Sequence, residues 1–134
     1  MIVLDTTAVV ALQDRRDRWY AAALEAVTDE PGPFIVPIAV LAEVDAVLAG
    51  RSAGAMTHVL GSALDGSLLI DVGESDLSRI AGLMADATGL RLGFADAAVA
   101  ACAERTGAPV LTFSPDGFEG LVRSGVITLT SSVV

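Results

Sequence analysis

Short apolar runs that alternate with longer segments of helical spacing are the feature that most constrains how this chain folds. Each run has the length and the Val, Ile and Leu content of a buried β-strand. The predicted strands cover residues 1–4, 34–36, 68–72, 110–113 and 126–129. Strands that alternate with helices predict one α/β domain over residues 1–134, with a central, mostly parallel β-sheet flanked by α-helices.

The segments between the runs carry helix signals. Trp19, Ala23 and Ala26 recur at the 3.6-residue period and predict one buried helix face. Ser75 is typical of a helix start, and Gly107 is typical of a helix end. The predicted helices cover, approximately, residues 7–12, 17–27, 39–48, 53–64, 75–87 and 95–105, with a short helix or loop over 115–122.

The composition permits one well-packed domain and favours the cytoplasm. Hydrophobic residues make up 53% of the 134 residues, which excludes charge-driven disorder, and only 4% are aromatic, so small aliphatic side chains must build the core. The single cysteine, Cys102, cannot form an internal disulfide, which favours a reducing compartment. Asp5 interrupts the first apolar run, so no signal peptide is expected. The longest uncharged apolar stretch, residues 31–42, is too short to cross a bilayer.

The net charge of −9 argues against loose, nonspecific binding of nucleic acid, since phosphate contacts need a basic surface. It does not exclude a nucleic-acid substrate that is held through divalent cations. It also suits a basic protein partner.

Several common chemistries are disfavoured by the motifs. The chain has neither a GxxxxGK loop nor a GxGxxG loop for cradling phosphates. His58 is the only histidine and no serine stands in a GxSxG elbow, so a Ser–His triad is not expected. Cys102 lies in an apolar helix and is interpreted as an inert core thiol. Zinc is disfavoured because its usual nitrogen and sulfur ligands are missing.

Three carboxylates stand out because each lies in apolar surroundings, where an isolated charge is costly to bury. They are Asp5 after the first strand, Glu43 in an apolar helix, and Asp96 at the start of the Ala-rich helix. Asp5 and Asp96 also have a structural interpretation as helix caps, and Asp96 as a partner of the helix dipole. Asp45 competes with Glu43, because helical periodicity does not choose between them.

The joint interpretation of these acids is a site for a hard cation. Two carboxylates ~4 Å apart repel by about 4 kcal/mol at an effective dielectric near 20, so a cluster needs protons or cations. Oxygen ligands select Mg²⁺ or Mn²⁺. Such an ion polarises a phosphoryl oxygen and lowers the pKa of a coordinated water, which is the equipment of phosphodiester hydrolysis.

Four stretches together resemble the PIN-domain ribonucleases, specifically VapC-type toxins of bacterial toxin–antitoxin pairs: MIVLDTTAVVALQ, PIAVLAEV, LGFADAAVAACAERTGAPVLTF and SPDGF. The resemblance implies a compact α/β fold, a homodimer, an RNA substrate, a cognate VapB-like antitoxin and an acidic pocket that holds Mg²⁺ or Mn²⁺. It assigns the metal-binding and catalytic acids to Asp5, Glu43 and Asp96, which resolves the choice between Glu43 and Asp45. Thr6 matches a position where the family commonly has a small hydroxyl residue.

The chain departs from the family at the fourth acidic position. The T-x-D pattern after the fourth strand is here Thr112, Phe113 and Ser114, and a serine supplies no charge. Asp116 is the alternative source of a fourth carboxylate. The sequence thus predicts a metal-dependent ribonuclease toxin, with a catalytically weakened binding or scaffold module as the alternative. A dehalogenase-like enzyme with Asp5 as nucleophile is disfavoured, since Thr7 occupies the position of its second aspartate.

Overall fold

The computed structural model describes residues 1–85 and 92–130 and confirms the α/β prediction. Its strands are β1 (Ile2–Leu4), β2 (Phe34–Pro37), β3 (Leu68–Asp71) and β4 (Val110–Leu111). Its helices are α1 (Thr6–Gln13), α2 (Tyr20–Thr28), α3 (Ile38–Leu48), α4 (Ala55–Leu64), α5 (Leu77–Ala85), α6 (Phe94–Thr106) and α7 (Glu119–Arg123). Short 3₁₀ helices cover Glu74–Asp76 and Pro115–Phe118.

The four strands are parallel and stand in the order β3-β2-β1-β4. The chain builds outward from β1 to β2 and β3, then crosses back to place β4 on the other side of β1. This reversal makes a topological switch point between β1 and β4. Crevices that bind ligands in open α/β sheets lie at the carboxyl ends of the strands at such a point. Asp5 and Thr112 directly follow β1 and β4, so both residues lie at this crevice.

Small aliphatic side chains build the core, as the composition predicts. The sheet residues Val3, Val36 and Val110 are fully buried. Helix α6 buries every residue from Ala97 to Ala103, because alanine lets the helix approach the sheet closely. Phe118 is the only aromatic residue among the largest fully buried side chains of the described part. None of the helices in that part combines the length and the apolar character needed to cross a membrane.

Two local predictions are wrong. Helix α2 begins at Tyr20 rather than near Asp17, because the Asp17 carboxylate accepts the backbone N–H of Trp19 (2.8 Å) and favours a turn there. The predicted strand over residues 126–129 is reduced to one parallel bridge between Val110 and Leu129. The predicted end of the fifth helix at residue 87 and the connection over 88–91 lie outside the described residues.

Candidate active site

Asp5 lies at the carboxyl end of β1, the central strand, and its side chain is only 2% exposed. Its Oδ1 accepts hydrogen bonds from the Thr7 hydroxyl (2.7 Å) and from the backbone N–H of Ala8 (2.9 Å). Asp5 is therefore the N-cap of α1, as one of the two sequence interpretations has it. Its backbone N–H donates to the Leu111 carbonyl (3.3 Å), which joins it to β4.

Burial raises the pKa of Asp5 above its usual range. Hydrogen bonds from Thr112, Thr7 and Ala8 act in the opposite direction, because they stabilise the carboxylate, but they do not outweigh the loss of hydration. The site thus holds a carboxylate that is costly to keep charged without a compensating positive charge.

Two threonine hydroxyls connect the ends of β1 and β4 beside Asp5. The Thr7 hydroxyl accepts the backbone N–H of Phe113 (2.8 Å), and the Thr112 hydroxyl accepts that of Ser114 (3.0 Å). The two hydroxyl oxygens lie 3.5 Å apart, and Thr112 is completely buried. Thr6 and Thr112 match positions of the family pattern in the sequence, whereas Thr7 does not. Its position two residues after Asp5, as a polar residue opening an apolar helix, is the signal that could have identified it.

Glu43 extends from α3 toward the start of α1. Its Oε1 accepts a 2.6 Å hydrogen bond from the Thr6 hydroxyl, which connects residues 37 positions apart in the sequence. Because Thr6 directly follows Asp5, this bond brings the Glu43 carboxylate to the same edge of the sheet. Asp45 is exposed on the same helix. Of the two acids, Glu43 is the one that contacts Thr6.

Asp96 stands in the first turn of α6 and is half-buried. Gly93 occupies the N-cap position of that helix, so the interpretation of Asp96 as a cap is wrong, although its position still suits the helix dipole. The pKa of Asp96 is raised, first by burial and then by the negative charges of Asp5 and Glu43. These charges place the three acids in one electrostatic neighbourhood.

The fourth acidic position that the resemblance predicts carries no charge. Ser114 is exposed after β4, and Asp116 is exposed in the following 3₁₀ helix. Asp116 is not among the charges that raise the pKa of Asp96. Gly117 packs against Asp96, and a methyl group added to it would lie 3.7 Å from Asp96 Oδ2.

The acids do not form a finished metal cage. Among residues 1–85 and 92–130, no group of three or more His, Cys, Asp or Glu side chains is placed to hold an ion. The donor set nevertheless fits a hard cation, since it consists of carboxylate and hydroxyl oxygens. Burial raises the pKa of Asp5, and burial together with the charges of Asp5 and Glu43 raises the pKa of Asp96, so a cation would relieve an existing cost.

Three further titratable side chains, those of His58, Cys102 and Arg105, have structural contacts. His58 is exposed, and its Nδ1 lies 2.9 Å from Gln13 Oε1. Cys102 is completely buried, and burial raises the pKa of its thiol to about 12, which confirms an inert core thiol. Arg105 pairs with Asp71 (2.6 Å) and Asp76 (3.0 Å) at the end of α6 remote from Asp96.

Solved structures share this fold over most of their length. The toxin VapC20 of Mycobacterium tuberculosis, which is described as cleaving the sarcin-ricin loop, has a TM-score of 0.80 at 18% identity, covering 90% of this chain and 95% of that chain. A toxin–antitoxin complex from Klebsiella pneumoniae has a TM-score of 0.66 at 20% identity, covering 90% and 92%. VapBC2 from Rickettsia felis, bound to a fragment of promoter DNA, has a TM-score of 0.66 at 19% identity, covering 97% and 98%.

Comparison with curated proteins finds no match in sequence. The model of the PIN domain matches residues 2–120, a range that begins with β1 and includes Asp5, Glu43, Asp96 and the end of β4. The chain therefore belongs to the PIN domain family.

Proposed function

We propose that this protein is a metal-dependent endoribonuclease, the toxin of a VapC-type toxin–antitoxin pair. The observation that carries the proposal is the raised pKa of Asp96 under the charges of Asp5 and Glu43, at the switch point of the sheet. The capping of α1 by Asp5 does not explain why the charges of Asp5 and Glu43 should act on a third acid, Asp96. The shared fold with VapC20, which is described as cleaving the sarcin-ricin loop, supports RNA as the substrate.

Mg²⁺ or Mn²⁺ is the cofactor that these residues suit, because all the available donors are oxygens. Asp5, Glu43 and Asp96 would hold the ion, directly or through water. When bound, it would supply positive charge to the scissile phosphate and activate a water molecule for attack. The protein's own residues fix this arrangement: the cap on α1 and Thr7 orient Asp5, and Thr6 orients Glu43.

Two protein partners complete the proposal. A cognate antitoxin with a basic segment would neutralise the acidic pocket, and the net charge of −9 favours such a partner. An exposed apolar surface lies beside one cavity and consists of Ile38, Val72, Leu77 and Phe94, each at least 49% exposed. A second copy of the chain would cover this surface. Light scattering of the wild type and of Leu77→Asp tests the homodimer, which only the wild type should form.

Cleavage of RNA by matched variants of α3 tests the function. Glu43→Gln and Asp45→Asn each remove one negative charge from the same helix, but only Glu43 contacts Thr6. Glu43→Gln should lower the rate of Mg²⁺-dependent cleavage at least 100-fold, because the loss of one electrostatic contact in an active site typically has an effect of this size. Asp45→Asn should leave the rate within about twofold of the wild type. Equal effects of the two variants, or cleavage that survives EDTA, would contradict the proposal.

A further inference from the structure

The aromatic pair Trp19 and Phe113 lies directly beside the acidic pocket. Their ring centroids are 5.2 Å apart with an interplanar angle of 13°, which is an offset stack. Phe113 follows Thr112, and its backbone N–H donates to the Thr7 hydroxyl, which in turn donates to Asp5. Two hydrogen bonds therefore separate the aromatic pair from the carboxylate at the centre of the proposed active site.

The pair is not explained by core packing. The chain has only six aromatic residues, and Trp19 keeps 37% of its surface exposed although it precedes α2, where the sequence pattern predicts a buried position. The turn that presents it is fixed, since Asp17 Oδ1 accepts the Trp19 N–H (2.8 Å) and Asp14 Oδ1 accepts that of Arg16 (3.0 Å). Phe113 stacks on the Trp19 ring and Arg18 lies over it, but Trp19 is still 37% exposed, so part of the aromatic pair is accessible to a ligand.

One arginine lies over this exposed ring, and further arginines are close to it in the sequence. The guanidinium of Arg18 lies 4.6 Å from the Trp19 ring centroid, and no ion pair of Arg18 occurs within residues 1–85 and 92–130. Arg15, Arg16 and Arg18 are neighbours of Trp19 in the sequence, and Arg51 joins them through ion pairs with Asp14 and Asp17. This group holds four of the eight basic residues of the chain and two acids, Asp14 and Asp17. A local excess of arginine beside a tryptophan matches the backbone and the bases of a single-stranded nucleic acid.

We propose that Trp19, Phe113 and Arg18 form a subsite that stacks an unpaired base of the RNA and contacts its phosphate, next to the bond to be cleaved. This inference rests on the proposed function, because the ligand of the subsite is the RNA that the enzyme would cleave. It adds a preference for single-stranded substrate, because a base held in a duplex cannot reach the ring. Asp5 and its neighbours would do the chemistry, and the aromatic subsite would position the strand.

Trp19 is the only tryptophan, so its fluorescence reports on the subsite directly. The titration uses Asp5→Asn protein, which should bind without cleaving, and two probes: a 12-nucleotide oligoadenylate and an abasic 12-mer with the same backbone. Oligoadenylate should quench the fluorescence to saturation, and the abasic strand should not. Equal quenching by both strands would show phosphate binding alone and would overturn the stacking proposal.

Anisotropy of labelled oligoadenylate compares the variants. In the Asp5→Asn background, Trp19→Ala should weaken binding by roughly 5- to 100-fold, the range for loss of one stacked base, while Trp19→Phe should retain most of the affinity. Arg18→Ala should remove about one phosphate contact, so the slope of the logarithm of the binding constant against the logarithm of the salt concentration should change by roughly 0.7. Arg79→Ala is the charge-matched control and should leave the affinity for oligoadenylate unchanged. Arg79 pairs with Glu104, which lies eight residues beyond Asp96 on α6.

The outcomes separate this proposal from the assigned function. RNA cleavage by the wild type together with unchanged RNA affinity in Trp19→Ala would overturn the subsite and leave the ribonuclease intact. Saturable quenching without any cleavage by the wild type would support the subsite and contradict the ribonuclease. Normal RNA binding by Trp19→Ala with weakened binding of the antitoxin would show a protein-binding surface instead and would also overturn the proposal.

Discussion

The hydroxyl of Thr7 donates a 2.7 Å hydrogen bond to Asp5 Oδ1, and the same hydroxyl accepts the backbone N–H of Phe113. Replacing it by Thr7→Val keeps the shape but leaves that N–H without its partner, so we expect a loss of about 1–3 kcal/mol in the free energy of unfolding. Thr7→Ser keeps the hydroxyl and should lose less than half as much. Urea denaturation of both variants measures the difference, and equal losses would refute the role of the hydroxyl.

Substitutions at Asp5 should separate the fold from the chemistry. Asparagine is as good an N-cap as aspartate, so Asp5→Asn should retain the capping of Ala8 and the melting temperature while abolishing RNA cleavage. Asp5→Ala removes the cap and should cost about 1 kcal/mol in addition. Thermal melts and cleavage assays on the two variants check this, and substantial cleavage by Asp5→Asn would contradict the assignment of Asp5 as a metal ligand.

Added Mn²⁺ should stabilise the folded protein. At about 100 times its dissociation constant, an ion that binds only the native state adds roughly 2.7 kcal/mol. The gain should fall sharply in Asp96→Asn and persist in Asp116→Asn, since Asp96 is half-buried and Asp116 is exposed. No shift of the melting temperature at millimolar Mn²⁺, together with no RNA cleavage, would favour the weakened scaffold module.

The raised pKa of Asp96 predicts how metal-free stability depends on pH. A carboxyl whose pKa is higher in the folded state binds more protons there, so its contribution to stability rises as pH falls from neutral toward the ordinary value of 3.8. Asp96→Asn removes the charge and should stabilise the protein at pH 7 by about 0.5–2 kcal/mol, as substitutions at functional sites often do. This gain in stability of Asp96→Asn over the wild type should shrink as the pH falls toward about 4. Thermal melts of both proteins in EDTA between about pH 7 and pH 4 measure it, and a gain that increases toward the acidic end would refute the prediction.

Ser114→Asp should strengthen metal binding, because it adds a carboxylate at the fourth acidic position, which carries no charge. Ser114 is exposed after β4, so the change should leave the fold intact. We expect about tenfold higher affinity for Mn²⁺, equivalent to roughly 1.4 kcal/mol. Calorimetric titration measures it, with Ser124→Asp on the exposed end of α7 as the control. Equal gains in both variants would point to general electrostatics rather than to the pocket.

The sequence predicts the strands and the position of Asp5 well, because a buried strand followed by a polar residue is a local pattern. The partner of Glu43 is different in kind. Its contact with Thr6 joins residues 37 positions apart, and helical periodicity cannot distinguish Glu43 from Asp45. From the sequence, only the resemblance to the family assigns the site to Glu43 rather than Asp45. The contact of Glu43 with Thr6 depends on how α1 and α3 pack against each other.

Local hydrogen bonding explains the errors near Trp19. The periodicity places Trp19 on a buried helix face, but the Asp17 carboxylate accepts the Trp19 N–H and the helix begins one residue later. Asp14 is buried and caps the same turn by accepting the Arg16 N–H. These competing side-chain bonds depend on how α1 ends, which composition and spacing do not specify.

The pocket combines one rigid acid with one adjustable acid. Asp5 is buried at the end of β1 and held by two hydrogen bonds to its Oδ1, whereas Glu43 is exposed on a longer side chain from α3 and is held by one hydrogen bond, from Thr6. Mg²⁺ and Mn²⁺ differ in ionic radius, and a long side chain can follow that difference where a capped one cannot. Such a site would discriminate poorly by size, so the ion that occupies it in the cell would be set by availability.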